Sequence, residues 1–167
     1  NMVVTTPSNE VETRLLLTSA FNFDGPATVR YPRGSGPNKT FEESLNEIPI
    51  GKANLIRKGD KKSIMLNFGA LLHEAEKVAE SLNLTLIDMR FVKPLDEDIL
   101  KNRLKQADLV VTLEDGCIAG GAGSAVQEFC SKQSFKPRFL MLGIPDSFIE
   151  HASRDEMLEE CGLTASK

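Results

Sequence analysis

Residues 63–92 read SIMLNFGALLHEAEKVAESLNLTLIDMRFV, and the fold turns on them. Ser63 to Phe68 is a short apolar run of strand length, and Gly69 closes it. Leu71, Leu72, Ala75, Val78, Ala79 and Leu82 follow at the spacing that puts apolar side chains on one side of a helix. Leu84 to Val92 returns to strand character. Strands that are apolar throughout need cover on both faces, and helical crossovers supply it in parallel sheets.

The rhythm continues toward the C-terminus. Asp96 is placed to cap a short helix carrying Ile99, Leu100 and Leu104, and Ala107 to Leu113 is another continuously apolar strand. Gly120-Gly121-Ala122-Gly123-Ser124 leads into a helix with Ala125, Val126, Phe129 and Cys130. Arg138 to Ile144 is the last strand. Ser153-Arg154-Asp155-Glu156 has the wording of a capping box, and Gly162 suits a C-terminal cap.

Toward the N-terminus, Ala53 to Lys58 is a strand ended by Gly59-Asp60. Gly34 to Glu47 is polar, with glycine and proline, and reads as a linker. Met2 to Thr6 is a buried strand, Ser8 a helix cap with Glu10 in the first turn, and Ala27 to Tyr31 an alternating strand ended by Pro32. Such a strand–helix–strand unit cannot bury both faces alone. The chain opens at Asn1 straight into this apolar run, which reads as a cut edge. The whole pattern predicts an α/β fold: a three-layer, mostly parallel sheet with flanking helices, preceded by a strand–helix–strand remnant.

Bulk properties narrow the function. With 41% hydrophobic and 26% charged residues the 167-residue chain has the balance of a soluble globular protein. A net charge of −4 supplies no basic field for nucleic acid, and no apolar run reaches bilayer length. Cys117, Cys130 and Cys161 are too widely spaced for a disulfide framework or a zinc site and fit a reducing compartment.

Arg33 lies just past the carboxyl end of the Ala27–Tyr31 strand, where open α/β sheets bind ligands. Its planar fork of donors suits a phosphate, although a surface arginine in a linker would read the same way. Arg30 faces the other side and reads as an ion-pair partner. The Gly120–Ser124 run only partly matches a dinucleotide fingerprint, because Val126 stands at its last glycine. Close helix–sheet packing is favoured there over a small anion at the helix N-terminus. Glu114 and Asp115 end a strand; acid–base work is conceivable, but capping the glycine loop or forming an ion pair is favoured. Asp88 and Arg90 share a face at period two and are expected to pair. His73 and His151 read as surface histidines.

The wording then becomes specific. Val29-Arg30-Tyr31-Pro32-Arg33-Gly34, Ile48-Pro49-Ile50-Gly51-Lys52, Leu66-Asn67-Phe68-Gly69, Asp88-Met89-Arg90-Phe91-Val92-Lys93-Pro94-Leu95-Asp96, the Gly120–Ser124 run and Gly143-Ile144-Pro145-Asp146 occur in this order. From about Met2 to Leu163 the chain resembles the C-terminal portion of the 1-deoxy-D-xylulose-5-phosphate synthase family, whose members are transketolase-like thiamine-diphosphate enzymes.

The resemblance implies a transketolase C-terminal-domain-like fold. Residues 1–36 would be the tail of a pyrimidine-binding domain, 37–47 a linker and 48–167 the C-terminal domain. It implies a cytoplasmic, homodimeric transferase that condenses pyruvate with D-glyceraldehyde 3-phosphate and releases CO2, using thiamine diphosphate and Mg²⁺. Arg33 matches the family arginine that binds the acceptor phosphate. No catalytic, cofactor-binding or metal-binding residue carries over, since the family's catalytic glutamate and diphosphate/Mg²⁺ motif have no counterpart in this chain. The chain alone is therefore expected to be inactive, to bind neither cofactor, and to contact neither nucleic acid nor membrane. The alternatives are a transketolase, the β subunit of a 2-oxo acid dehydrogenase, or a stand-alone dimerisation module.

Overall fold

A computed structural model of the chain describes residues 1–36, 45–60 and 62–167. Most of the expected linker, 37–44, lies outside the described residues. In chain order the elements are β1 (Val3–Thr5), α1 (Glu10–Asn22), β2 (Ala27–Val29), β3 (Asn54–Arg57), β4 (Ser63–Phe68), α2 (Leu72–Ser81) and β5 (Thr85–Asp88). They continue with β6 (Phe91–Lys93), α3 (Glu97–Leu104), β7 (Leu109–Cys117), α4 (Ala122–Ser131), β8 (Arg138–Ile144) and α5 (Arg154–Glu160).

The main sheet has the order β3-β5-β4-β7-β8. All of its pairings are parallel except β3 with β5. Successive residues of β4 face opposite layers. Ile64, Leu66 and Phe68 pack with Leu100 and Leu104 of α3 and with Val126 and Phe129 of α4. Met65 faces Leu72, Ala75 and Ala79 of α2, with Leu158 of α5 at the margin. Burying a side chain of this size contributes about 1.5–3 kcal/mol, so both apolar faces of β4 and β7 hold the three layers together. The expected layered, mostly parallel sheet is what forms.

The N-terminal unit makes a second sheet of order β2-β1-β6. Its apolar surface closes over Val3, Leu16, Ile48 and Phe91. Its third strand, β6, comes from beyond the expected linker.

That exchange corrects the single strand expected over Leu84–Val92. Met89 N–H still donates to Asn67 of β4 at 2.9 Å, but Arg90 then takes φ 58° and the chain changes sheets. Phe91 and Lys93 pair antiparallel with β1. Arg90 consequently does not pair with Asp88 as expected; it forms an ion pair with Glu12 of α1 at 2.5 Å. Two smaller differences have local causes. Asn9, not Ser8, caps α1 by accepting from Glu12 N–H at 3.0 Å, while Ser8 is buried and directed to Asp88. β2 stops at Val29 because β1 ends at Thr5, whose carbonyl takes the Arg30 N–H.

Candidate functional site

The carboxyl ends of β4, β5 and β7 all point toward the N-terminal unit, and each carries a buried polar residue: Asn67, Asp88 and Glu114. Polar groups in such places must find partners or destabilise the fold. Asn67 donates to Gly69 carbonyl at 2.9 Å and to Asp88 Oδ1 at 3.2 Å. Burial is the main influence on Asp88 and pushes its carboxyl up to about 6, against the nearby Ser8 hydroxyl and the Asn67 donor, which favour the ionised form.

Glu114 turns into the start of α4. Its two oxygens accept from Ala122 N–H at 2.8 Å and Gly123 N–H at 3.0 Å. A side chain on Gly121 would collide with the Cys117 carbonyl and with the Glu114 carboxylate itself. The glycines of this run therefore admit an internal carboxylate, which occupies the position an external anion would take. Asp115 accepts Arg30 Nη1 at 2.7 Å, and its carbonyl accepts Arg30 Nη2 at 2.6 Å. The expected roles of Glu114 as a cap and Arg30 as an ion-pair partner are both present.

The open part of the site lies at the exit of β2. Pro32 turns the chain there, leaving Tyr31 and Arg33 exposed. One cavity of about 400 Å³ lies between this segment, Ser8 and Asn9 before α1, His73 of α2 and Arg154 of α5. A second, of about 300 Å³, lies on the other side of the segment, against Ile144, Met157, Leu158 and Cys161. Tyr31, Pro32, Arg33 and Arg154 line both. Arg33 thus stands at the mouth of two adjoining voids beyond the carboxyl end of a parallel strand. Cys161 is no activated nucleophile, because burial pushes its thiol up. His73 lies on the first cavity, whereas His151 lies on neither. Arg154 carries no signal in sequence, where it is simply the residue after a capping serine.

The model of the transketolase C-terminal domain family matches residues 51–167. The chain belongs to the transketolase C-terminal domain family. The 1-deoxy-D-xylulose-5-phosphate synthases of Pseudomonas aeruginosa and Stutzerimonas stutzeri are each 50% identical to it over 165 residues, covering 99% of this chain and 26% of theirs. The chain spans about a quarter of the length of the curated relatives it matches. Among solved structures, a split-gene transketolase described as an inactive β4 tetramer superposes with TM-score 0.85 at 29% identity, over 99% of this chain and 54% of that one. The Campylobacter jejuni transketolase, at 19% identity and TM-score 0.72 over 99% of this chain and 25% of that one, shares the fold.

Transketolase-like enzymes imply thiamine diphosphate and Mg²⁺. Among the described residues no group of three His, Cys, Asp or Glu side chains is placed to hold a metal ion, and the best-built amide cradle, at α4, is filled by Glu114. These described residues do not fit a metal–diphosphate group. No described helix is long and apolar enough to cross a membrane.

Proposed function

We propose that this chain supplies the acceptor-binding edge and the C-terminal domain of an enzyme that condenses pyruvate with D-glyceraldehyde 3-phosphate, releasing CO2 and giving 1-deoxy-D-xylulose 5-phosphate. The observation that carries this reading is Arg33, exposed at the β2 exit beside two cavities and embedded in Tyr31-Pro32-Arg33-Gly34. A guanidinium fork there can take two phosphate oxygens with charge-assisted hydrogen bonds, which fixes the acceptor rather than transforming it. The 50% identity to synthases supports this reaction over that of a transketolase, the class of the 29% identical structure.

On this reading residues 1–36 belong to the pyrimidine-binding unit, 37–47 link it to the next domain, and 48–167 form the C-terminal domain. The chain then acts only with the cofactor-bearing remainder of a cytoplasmic homodimer. Exposed Phe21 and Phe148 are apolar surface available to such an assembly.

The test is Arg33→Ala in the full-length enzyme carrying this chain. The KM for D-glyceraldehyde 3-phosphate should rise about tenfold to a hundredfold, the worth of hydrogen bonds to a charged group. The KM for pyruvate should stay unchanged, and turnover of unphosphorylated D-glyceraldehyde should not fall. Equal losses with both aldehydes would remove the phosphate role.

A further inference from the structure

We infer that Arg154 and Arg33 form a two-guanidinium anion site between the β2 exit and the start of α5, built for the phosphate group of a small phosphorylated substrate. This rests on the reading of Arg33 as a phosphate arginine and adds a second, positioning arginine from a distant element.

Both arginines line both cavities. Arg154 Nη2 is buried and has no hydrogen-bond partner among the described residues. A guanidinium nitrogen that has lost water and gained no acceptor is a standing demand for one. Among the described residues, the other charged groups on the two cavities are Arg30, Asp115 and Glu10. Arg30 is engaged by Asp115, leaving that carboxylate satisfied on the rim of the smaller cavity. Glu10 contributes a carboxylate to the wall of the larger cavity, with His73 also on that wall. Among the described lining residues two guanidiniums face one carboxylate in charge count, and the larger cavity has room for a tetrahedral oxyanion at about 400 Å³.

The elements hold the pair in place. Pro32 fixes the approach to Arg33, and the capping box at Ser153 fixes the first turn of α5, with Glu156 Oε2 accepting from Ser153 N–H at 2.9 Å. Two forks from separate segments of the chain can hold three phosphate oxygens, which a single arginine cannot do.

Titrating the full chain with inorganic phosphate, followed by calorimetry or backbone amide shifts, tests this. Wild-type chain should bind saturably. Arg154→Ala and Arg33→Ala should each weaken binding about tenfold, whereas Arg154→Lys should weaken it less because the charge remains. Arg138→Ala, an exposed arginine on the edge strand outside both cavities, should leave affinity unchanged. Circular dichroism checks that each variant folds. If Arg154→Ala binds phosphate as wild type does while Arg33→Ala is weakened, the pairing is wrong and the reading of Arg33 stands. If wild type does not bind saturably, the two-arginine site is overturned, and Arg33 is judged by its KM experiment alone.

Discussion

Glu114→Ala should lower the unfolding free energy by about 3 kcal/mol, the largest single-residue loss argued for this chain. The carboxylate is 5% exposed and accepts two backbone N–H groups at the start of α4. Its removal leaves two buried donors with no acceptor, each worth about 1–3 kcal/mol, and opens space among Gly116, Gly121 and Gly143. Release of a buried charge offsets part of this. Glu114→Gln separates the contributions. It keeps the volume and one acceptor oxygen, but places an NH2 against an N–H, so about half the loss is expected. Denaturant midpoints at constant m-value measure both. A Glu114→Ala variant within about 0.5 kcal/mol of wild type would mean that water caps α4 as well as the carboxylate does.

The same residue shows what the sequence makes legible. Glu114 comes shortly before a glycine run and a helix, which makes capping one of the roles open to it alongside an ion pair; the strand runs on past it to Cys117, and the fold selects the cap. β4 and β8 are legible to the residue, because each is an apolar run closed by turn or helix-starting residues. Arg33 is legible only as a position shortly beyond a strand end; the strand itself stops at Val29, before the proline expected to end it.

What was hidden depended on distant neighbours. Nothing between Leu84 and Val92 marks the change of sheet; the marker is β1, which takes Phe91–Lys93 as a partner from far along the chain. Ser8 and Asn9 are both competent caps, and the choice falls to Asn9 because Ser8 turns toward buried Asp88. Arg154 and His73 join Arg33 only when three separate elements converge on one cavity. Local patterning specifies layers and ends, while long-range pairing decides which polar residues share a space.

Asp88 supplies the second large effect, which is a dependence on pH. It is 1% exposed, at the junction of the two sheets, with Ser8, Asn67, Glu12 and Arg90 as its polar and charged neighbours. Desolvation raises its pKa from an ordinary 3.8 to about 6, so the folded chain holds this proton more tightly than the unfolded chain does. Well below pH 4 the carboxyl is protonated in both states and folding carries no penalty from it. As pH climbs toward 6 the unfolded chain gives up its proton first, and stability declines. Above about 6 the folded state holds an ionised, buried carboxylate at the full penalty of about 3 kcal/mol. Asp88→Asn cannot ionise, so the comparison isolates this group from every other titration. The stability of wild type relative to Asp88→Asn should fall by about 2 kcal/mol between pH 4 and pH 7. Any constant difference from altered hydrogen bonding with Ser8 or Asn67 leaves that change intact. A difference that stays flat across the interval would mean that Arg90 and the donors around Asp88 compensate its burial fully.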